Sequence, residues 1–192
     1  MNVSLFRVAM TALFAALIAI GSLIALPIGP VPVVLANFFA ILVGLLLGPW
    51  WGALSVIVYV AFGLLGLPVF AGGHSGLGYF LGPTGGFIIG YIAAALVAGL
   101  IARGWKAGIG TAKSDIAPGI FRLALAGLAA LIALYAIGLP WFQAGMATKA
   151  PGKYPDLLSA ALIFIPYMIG DVAKVVAAVA VSRSLRPLVV RL

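Results

Sequence analysis

Long apolar runs make up most of the chain, separated by short breaks that are rich in glycine, proline or basic residues. A helix needs roughly 20 apolar residues to cross a bilayer, so this pattern predicts six membrane-spanning helices, which we call spans one to six. The predicted spans cover residues 8–26, 33–47, 52–67, 84–102, 119–139 and 158–181.

Helix-breaking residues mark the predicted ends of the spans. The proline-rich segment 27–32 separates spans one and two, and Gly48 and Pro49 end span two. Pro68 and Pro140 directly follow spans three and five, and proline lacks the N–H group that a helix interior needs. Span one is longer than the roughly 7–15-residue core of a secretory signal peptide, so we interpret it as a transmembrane helix.

The composition excludes a water-soluble globule. Of the 192 residues, 65% are hydrophobic and 7% are charged, whereas soluble domains contain about 45–50% and about 25%. Six spans leave no room for an attached nucleotide hydrolase or an extracytoplasmic domain. We therefore expect an all-α integral membrane protein whose residues 1–192 form a single membrane-embedded domain.

The distribution of positive charge predicts the orientation in the membrane. The net charge of +8 arises from eleven Lys and Arg residues and three Asp residues. Lys149 and Lys153 lie at the predicted outer ends of the spans, while Lys174 lies within span six. The remaining positive residues lie at the predicted inner ends: Arg7, Arg103, Lys106, Lys113, Arg122, Arg183, Arg186 and Arg191. The positive-inside rule then places both termini in the cytoplasm.

An oppositely charged pair lies well inside span six. Asp171 and Lys174 are three residues apart and share one helical face, although each costs roughly 2.5–3.5 kcal/mol at the centre of a membrane helix. One interpretation is a structural ion pair that fixes helix packing. The other is a ligand site, because Phe164 and Tyr167 lie on the same face. Such a face suits a ligand with a carboxylate and an apolar body.

The predicted outer connection, residues 69–83, is unusually rich in glycine and also in large apolar residues. This combination predicts a re-entrant-like loop that folds back over a cavity, with glycines permitting close approach of the backbone. Thr84 is the predicted N-cap of span four, whose first N–H groups are a second means of binding an anion. The predicted loop residues are Phe70, Gly72, Gly76, Thr84, Gly85 and Gly86. The predicted ligand-binding residues are Gly73, His74, Tyr91, Phe164, Tyr167, Asp171 and Lys174.

Residues that enzymes and metal sites use are scarce. The chain has no Cys, no Glu and one histidine, His74, which is either an exposed loop residue or a ligand contact. This argues against an intramembrane enzyme and against a metal site, and we expect no cofactor.

Small residues recur at helical spacing in span one. Ala12 and Ala16 form one such pair, and Ala15 and Ala19 form another, three positions further along. Small residues permit close helix approach in lipid. They either pack inside the protein or dock another membrane subunit.

Three motifs are similar to those of a known family: Gly-Leu-Pro-Val-Phe-Ala-Gly-Gly at 66–73, Gly-Pro-Thr-Gly-Gly at 82–86, and Asp-x-x-Lys at 171–174. Together they resemble the BioY family, the biotin-binding membrane components (S components) of energy-coupling-factor (ECF) transporters. The similarity extends over most of the chain. At Val34 and Ala36 the sequence departs from the Thr and Gln that the family favours.

This resemblance implies six helices, high-affinity biotin capture at the outer side of a prokaryotic cell membrane, and a complex with a membrane coupling protein (T component) and two cytoplasmic ATPases. It also implies that Asp171 and Lys174 bind biotin, that the loop around residues 72–76 covers it, and that Ala12 and Ala16 contact the coupling protein. A second function stays open, namely a self-sufficient ion-coupled secondary transporter of a small carboxylated vitamin, with Asp171 as its proton-coupling site.

Overall fold

The computed structural model describes residues 3–29, 31–103 and 118–191, which contain seven α-helices and a short β-ribbon. The helices are α1 (Val3–Leu23), α2 (Ala36–Leu47), α3 (Pro49–Leu64), α4 (Gly76–Phe80), α5 (Gly85–Arg103), α6 (Ile120–Lys149) and α7 (Leu157–Arg191). By length and composition, α1, α5, α6 and α7 qualify as membrane spans, while α2 and α3 are shorter apolar helices. The predicted all-helical membrane fold is confirmed at this level.

Spans one and two are separated by a β-ribbon that the sequence did not indicate. Strand β1 (Ala25–Leu26) pairs antiparallel with β2 (Val33–Val34). The predicted helix ends at residues 26 and 33 were therefore wrong by about three residues, because backbone pairing satisfies these N–H and C=O groups instead of a helix.

α3 occupies the third predicted span with its ends moved toward the N-terminus. It begins at Pro49, because proline at the first helical position loses no helical hydrogen bond. It ends in a Schellman motif, in which Gly66 has a φ of 100° and its N–H donates to the Gly63 carbonyl at 3.2 Å. Glycine is needed here because other residues are strained at positive φ.

α6 continues ten residues beyond the predicted end at residue 139. Pro140 lies inside the helix and does not terminate it. The extension is held by the outer connection, since the Trp141 indole N–H donates to the Gly82 carbonyl at 2.9 Å. Phe142 is fully buried. Tertiary contacts thus compensate for the hydrogen bond that the proline removes.

α7 also exceeds its prediction and continues to Arg191, where a basic tail was expected. Its start is capped by Asp156, whose carboxylate accepts the Ser159 backbone N–H at 2.7 Å, the geometry of an N-cap. This hydrogen bond holds the pKa of the Asp156 carboxyl below its usual range. The predicted basic loop with Lys106 and Lys113 lies outside the described residues.

α5 is the central helix of the fold and packs against α2, α3 and α6. Close approach depends on glycine, because a Cβ on Gly44 of α2 would overlap the Ala95 carbonyl oxygen, and one on Gly99 would overlap Pro49. Small residues commonly allow such approach between membrane helices. The packing brings the start of α2, the middle of α6 and the middle of α7 together around one polar cluster.

Candidate functional site

A narrow cavity lies between the outer connection, the β-ribbon segment and α5. Its empty space, which includes open solvent at the mouth, is about 310 Å³. Aromatic and aliphatic side chains form most of its wall. The lining residues are Ser22, Val31, Pro32, Val34, Tyr59, Ala71, Tyr79, Thr84, Phe87, Ile88 and Tyr91.

Phe70 anchors the outer connection to the helices. Its side chain is fully buried and lies over Gly63, where any Cβ would overlap the ring. The ring packs edge-on against Tyr59 and stacks on Tyr79, with centroid separations of 5.8 Å in both cases. Since Tyr59 and Tyr79 both line the cavity, the anchored connection lies beside it; that this segment folds over a ligand stays a prediction.

The glycines at residues 72–76 form the tight turns of this connection. Gly72, Gly73 and Gly76 have φ values of 70°, 82° and 83°, a region that favours glycine. His74 stacks on Tyr79 at 4.7 Å and its Nδ1 lies 2.8 Å from the Ala71 carbonyl oxygen. Gly72, Gly73, His74 and Gly76 do not line the cavity, so their ligand-binding or covering role stays a prediction.

The start of α5 serves close packing more than anion binding. A Cβ on Gly85 would overlap the Phe80 carbonyl oxygen, and one on Gly86 would overlap Trp141. The Gly85 N–H donates to the Gly82 carbonyl, and the Phe87 N–H donates to the Thr84 carbonyl. Two of the N–H groups that were predicted to bind an anion therefore have backbone acceptors. Thr84 directly precedes α5, as predicted, and lines the cavity.

Asp171 and Lys174 face the protein interior and form one polar cluster with α2, α6 and β2. Lys174 Nζ lies 2.8 Å from Asp171 Oδ1. Asp171 Oδ1 also accepts the Asn37 side-chain N–H at 2.7 Å, and Asp171 Oδ2 accepts the Tyr135 hydroxyl at 2.7 Å. The aspartate is 6% exposed. The burial of this carboxylate is thus offset by a counter-charge and two neutral donors.

All three N–H donors of the Lys174 ammonium have acceptors. Besides Asp171, they contact the Val34 carbonyl at 2.7 Å and Asn37 Oδ1 at 3.1 Å. Val34 also lines the cavity, whereas Asp171 and Lys174 do not. Val34 therefore separates the charged pair from the cavity in this arrangement. Both interpretations of the pair, structural ion pair and ligand site, stay predictions.

The predicted aromatic face of α7 joins the pair to the cavity wall. Phe164 is fully buried, and its ring lies 5.2 Å from that of Phe87, a lining residue. The Tyr167 hydroxyl donates to the Ile28 carbonyl in the segment between β1 and β2. Tyr91 lines the cavity directly. Of the predicted ligand-binding residues, Tyr91 alone is a lining residue.

Sequence reasoning missed four polar residues of this region. Asn37 and Tyr135 complete the charged cluster, and the Ser22 and Tyr59 hydroxyls form a buried hydrogen bond of 2.7 Å beside the cavity. A polar residue within an apolar span was the available signal for Asn37. The described residues contain no group of three or more His, Cys, Asp or Glu side chains placed to hold a metal ion.

The two alanine pairs of α1 have different environments. Ala12 and Ala16 are exposed, whereas Ala15 is buried and Ala19 is half-buried. The pair of Ala15 and Ala19 therefore serves internal packing. Ala12 and Ala16 remain accessible to another membrane subunit, and their contact with a coupling protein stays a prediction.

Known proteins resemble the chain over nearly its whole length. The BioY family pattern matches residues 1–191. The biotin transporter BioY of Rhodobacter capsulatus is 39% identical over 93% of this chain and 92% of its own. A probable biotin transporter BioY of Pyrococcus horikoshii is 36% identical over 94% of this chain and 96% of its own.

The fold also matches a solved structure, a 2.1 Å crystal structure of the S-component for biotin from an ECF-type ABC transporter. The TM-score is 0.76 with 30% sequence identity, and the match covers 97% of this chain and 93% of that one. The family resemblance carried by the glycine-rich and Asp-x-x-Lys motifs is thus confirmed. The chain belongs to the BioY family.

Proposed function

We propose that this protein is the biotin-binding S component of an ECF-type importer, a transport component and not an enzyme. The relatives at 39% and 36% identity are named as biotin transporters, and the matching structure is a biotin S-component. The observation that carries the proposal is the position of Lys174, a half-buried cation whose ammonium contacts the carbonyl oxygen of Val34, a residue in the wall of an aromatic-lined cavity.

Each part of biotin finds a chemical counterpart around this cavity. The apolar bicyclic body suits the rings of Tyr79, Phe87 and Tyr91, because apolar pockets with a few polar groups are typical of small-molecule sites. The ureido group suits the hydroxyl groups along the wall. The carboxylate is expected to pair with Lys174, with Asp171 orienting the ammonium.

Binding in this mode requires the ligand to replace a protein acceptor at Lys174. The Val34 carbonyl is the acceptor that also lies on the cavity wall. It belongs to a ribbon with only two residue pairs, and such a small pairing is weakly stable by itself. We therefore expect the ribbon to move aside and the carboxylate to take the place of the Val34 oxygen.

The proposed membrane arrangement has six spans, with both termini in the cytoplasm. It counts the shorter helices α2 and α3 as spans and treats α4 as part of the outer connection. Arg7, Arg103 and Arg122 then lie at the inner side, in agreement with the positive-inside rule. The protein would reside in the cytoplasmic membrane of a prokaryote.

Uptake in this proposal requires a membrane coupling protein and two cytoplasmic ATPases. The exposed small face formed by Ala12 and Ala16 is the proposed contact for the coupling protein, because small residues allow close approach of a second helix. An ATP-driven importer keeps its uptake when the proton gradient and membrane potential are dissipated at constant ATP. Loss of uptake under that condition would instead support an ion-coupled secondary transporter.

Direct binding of labelled biotin to the purified protein in detergent tests the central claim. Saturable binding that unlabelled biotin displaces is expected. Desthiobiotin retains the ureido group and the carboxylate, so it should compete better than lipoate, which lacks the ureido group. Absence of saturable biotin binding by folded protein would refute the proposed function.

A further inference from the structure

Two neutral side chains from other helices complete the charged pair of Asp171 and Lys174. Asn37 contacts both charges, since its Nδ2 donates to Asp171 at 2.7 Å and its Oδ1 accepts from Lys174 at 3.1 Å. Tyr135 donates to the other oxygen of Asp171 at 2.7 Å. Asn37 and Tyr135 are 4% and 8% exposed, and neither lines the cavity.

We propose that Asn37 and Tyr135 are positioning residues for ligand binding. They fix the Asp171 carboxylate, and through it the Lys174 ammonium, without contacting the ligand. This inference rests on the proposed function, because it concerns how the same site achieves its affinity.

The geometry explains why Lys174 alone cannot fix the carboxylate. The terminal torsion of an aspartate side chain has a broad energy profile, so one contact at Oδ1 leaves the group free to turn. Tyr135 binds Oδ2 and Asn37 binds Oδ1, so the carboxylate is held at both oxygens. Oriented charges bind a ligand more tightly because less reorganisation is needed on binding.

Packing around Tyr135 holds its hydroxyl in place. Its ring lies 6.0 Å from that of Phe87 and 6.2 Å from that of Phe164, in edge-to-face arrangements. Phe87 belongs to the cavity wall. Tyr135→Phe keeps these ring contacts and removes only the hydroxyl, so it separates hydrogen bonding from packing.

A double-mutant cycle on biotin affinity tests the role of Tyr135. Tyr135→Phe is expected to weaken binding about tenfold, a typical loss for a hydrogen bond to a charged group. In an Asp171→Asn background the same change should cost less than about twofold, because the charge that Tyr135 holds is gone. Equal losses in the two backgrounds, or no loss in the wild-type background, would overturn the proposal.

Ser182→Ala is the matched control, because it removes a buried hydroxyl that donates to the Val179 carbonyl in the same helix, away from the pair. It should leave biotin affinity unchanged. Thermal unfolding of each variant checks that it is folded. If wild-type protein binds no biotin, the proposed function fails; if it binds and the losses are additive, only the positioning role fails.

Exchange of the amide and the carboxylate tests Asn37 independently of Tyr135. Asn37→Asp alone places two carboxylates together and removes a donor, so it should weaken biotin binding more than tenfold, as expected for charge-assisted contacts. Addition of Asp171→Asn restores one acid, one amide and one lysine. This double variant should bind better than Asn37→Asp alone, and failure to do so would contradict a positioning role for Asn37.

Discussion

Lys174 uses every N–H donor on protein acceptors, so a ligand carboxylate has to compete with them. The competition is feasible because a carboxylate is a stronger acceptor than a backbone carbonyl for a cation. Asp171 differs, since its contacts with Asn37 and Tyr135 do not involve Val34, and we expect them to persist when a ligand replaces Val34 at Lys174. At the scale of residues, the proposed site thus combines one contact that a ligand would replace with a carboxylate that stays in place.

Lys174→Met is expected to lower biotin affinity by about tenfold or more, the typical value of a charge-assisted hydrogen bond, while the protein stays folded. Methionine keeps an apolar stem of similar length, and Asp171 retains two donors. Titration calorimetry with biotin measures the loss. Biotinamide, which lacks the carboxylate, should bind both proteins alike; an equal loss for both ligands would show that Lys174 does not pair with the carboxylate.

Gly85→Ala should destabilise the junction of α4 and α5, because the new methyl would overlap the Phe80 carbonyl oxygen. Overpacking of this kind costs about 1–3 kcal/mol. Gly78→Ala is the matched control within α4, where an added Cβ meets nothing within 4 Å. Thermal unfolding in detergent should show a lower midpoint for Gly85→Ala alone. Equal midpoints would mean that this close approach is unimportant.

The site residues show what sequence patterns can and cannot predict. Asp171 and Lys174 were evident because charges are costly within an apolar span. The roles of Asn37 and Tyr135 were not evident from the sequence. Asn37 lies near the start of α2 and Tyr135 lies within α6, and only the packing of the helices brings them to α7. Sequence spacing reports neighbours along one helix and carries no information about contacts between helices.

At the scale of elements, hydrophobic runs predicted six of the helices, but they did not predict α4 within the outer connection, and they predicted most helix ends poorly. α5 matched to within one residue, because glycines and Arg103 mark its limits. α6 did not, since the effect of Pro140 is outweighed by Trp141 and Phe142, which bind the extension to the rest of the fold. Propensity decides a helix end only where no tertiary contact competes with it.

Ala16→Leu on α1 is expected to preserve biotin binding and to reduce co-purification of the coupling protein. The alanine is exposed, so leucine fits without disturbing the interior but prevents close approach of a second helix. Ala177→Leu on α7 places the same side chain at another exposed position and should leave co-purification unchanged. Normal recovery of the partner with Ala16→Leu would exclude this face as the contact.

At the scale of the whole molecule, the site depends on long-range assembly. One polar cluster joins β2, α2, α6 and α7, and α5 packs between α2 and α6. In the proposed binding mode, the ligand contact at Lys174 is therefore coupled to the ribbon that precedes α2. Capture of a ligand and closure of the outer side would follow from the same exchange of hydrogen bonds.

The orientation of this assembly can be measured directly because the chain has no cysteine. Lys153→Cys introduces a thiol at the predicted outer side, and Ser184→Cys introduces one at the predicted inner side; both positions are exposed. A membrane-impermeant maleimide should label Lys153→Cys in intact spheroplasts and Ser184→Cys only after the membrane is opened, because the positive-inside rule places the C-terminal basic residues in the cytoplasm. Preserved biotin binding is the control for correct folding. The opposite labelling pattern would show that the protein has the inverse orientation in the membrane. Its cavity would then lie on the cytoplasmic side, where it could not capture an external vitamin.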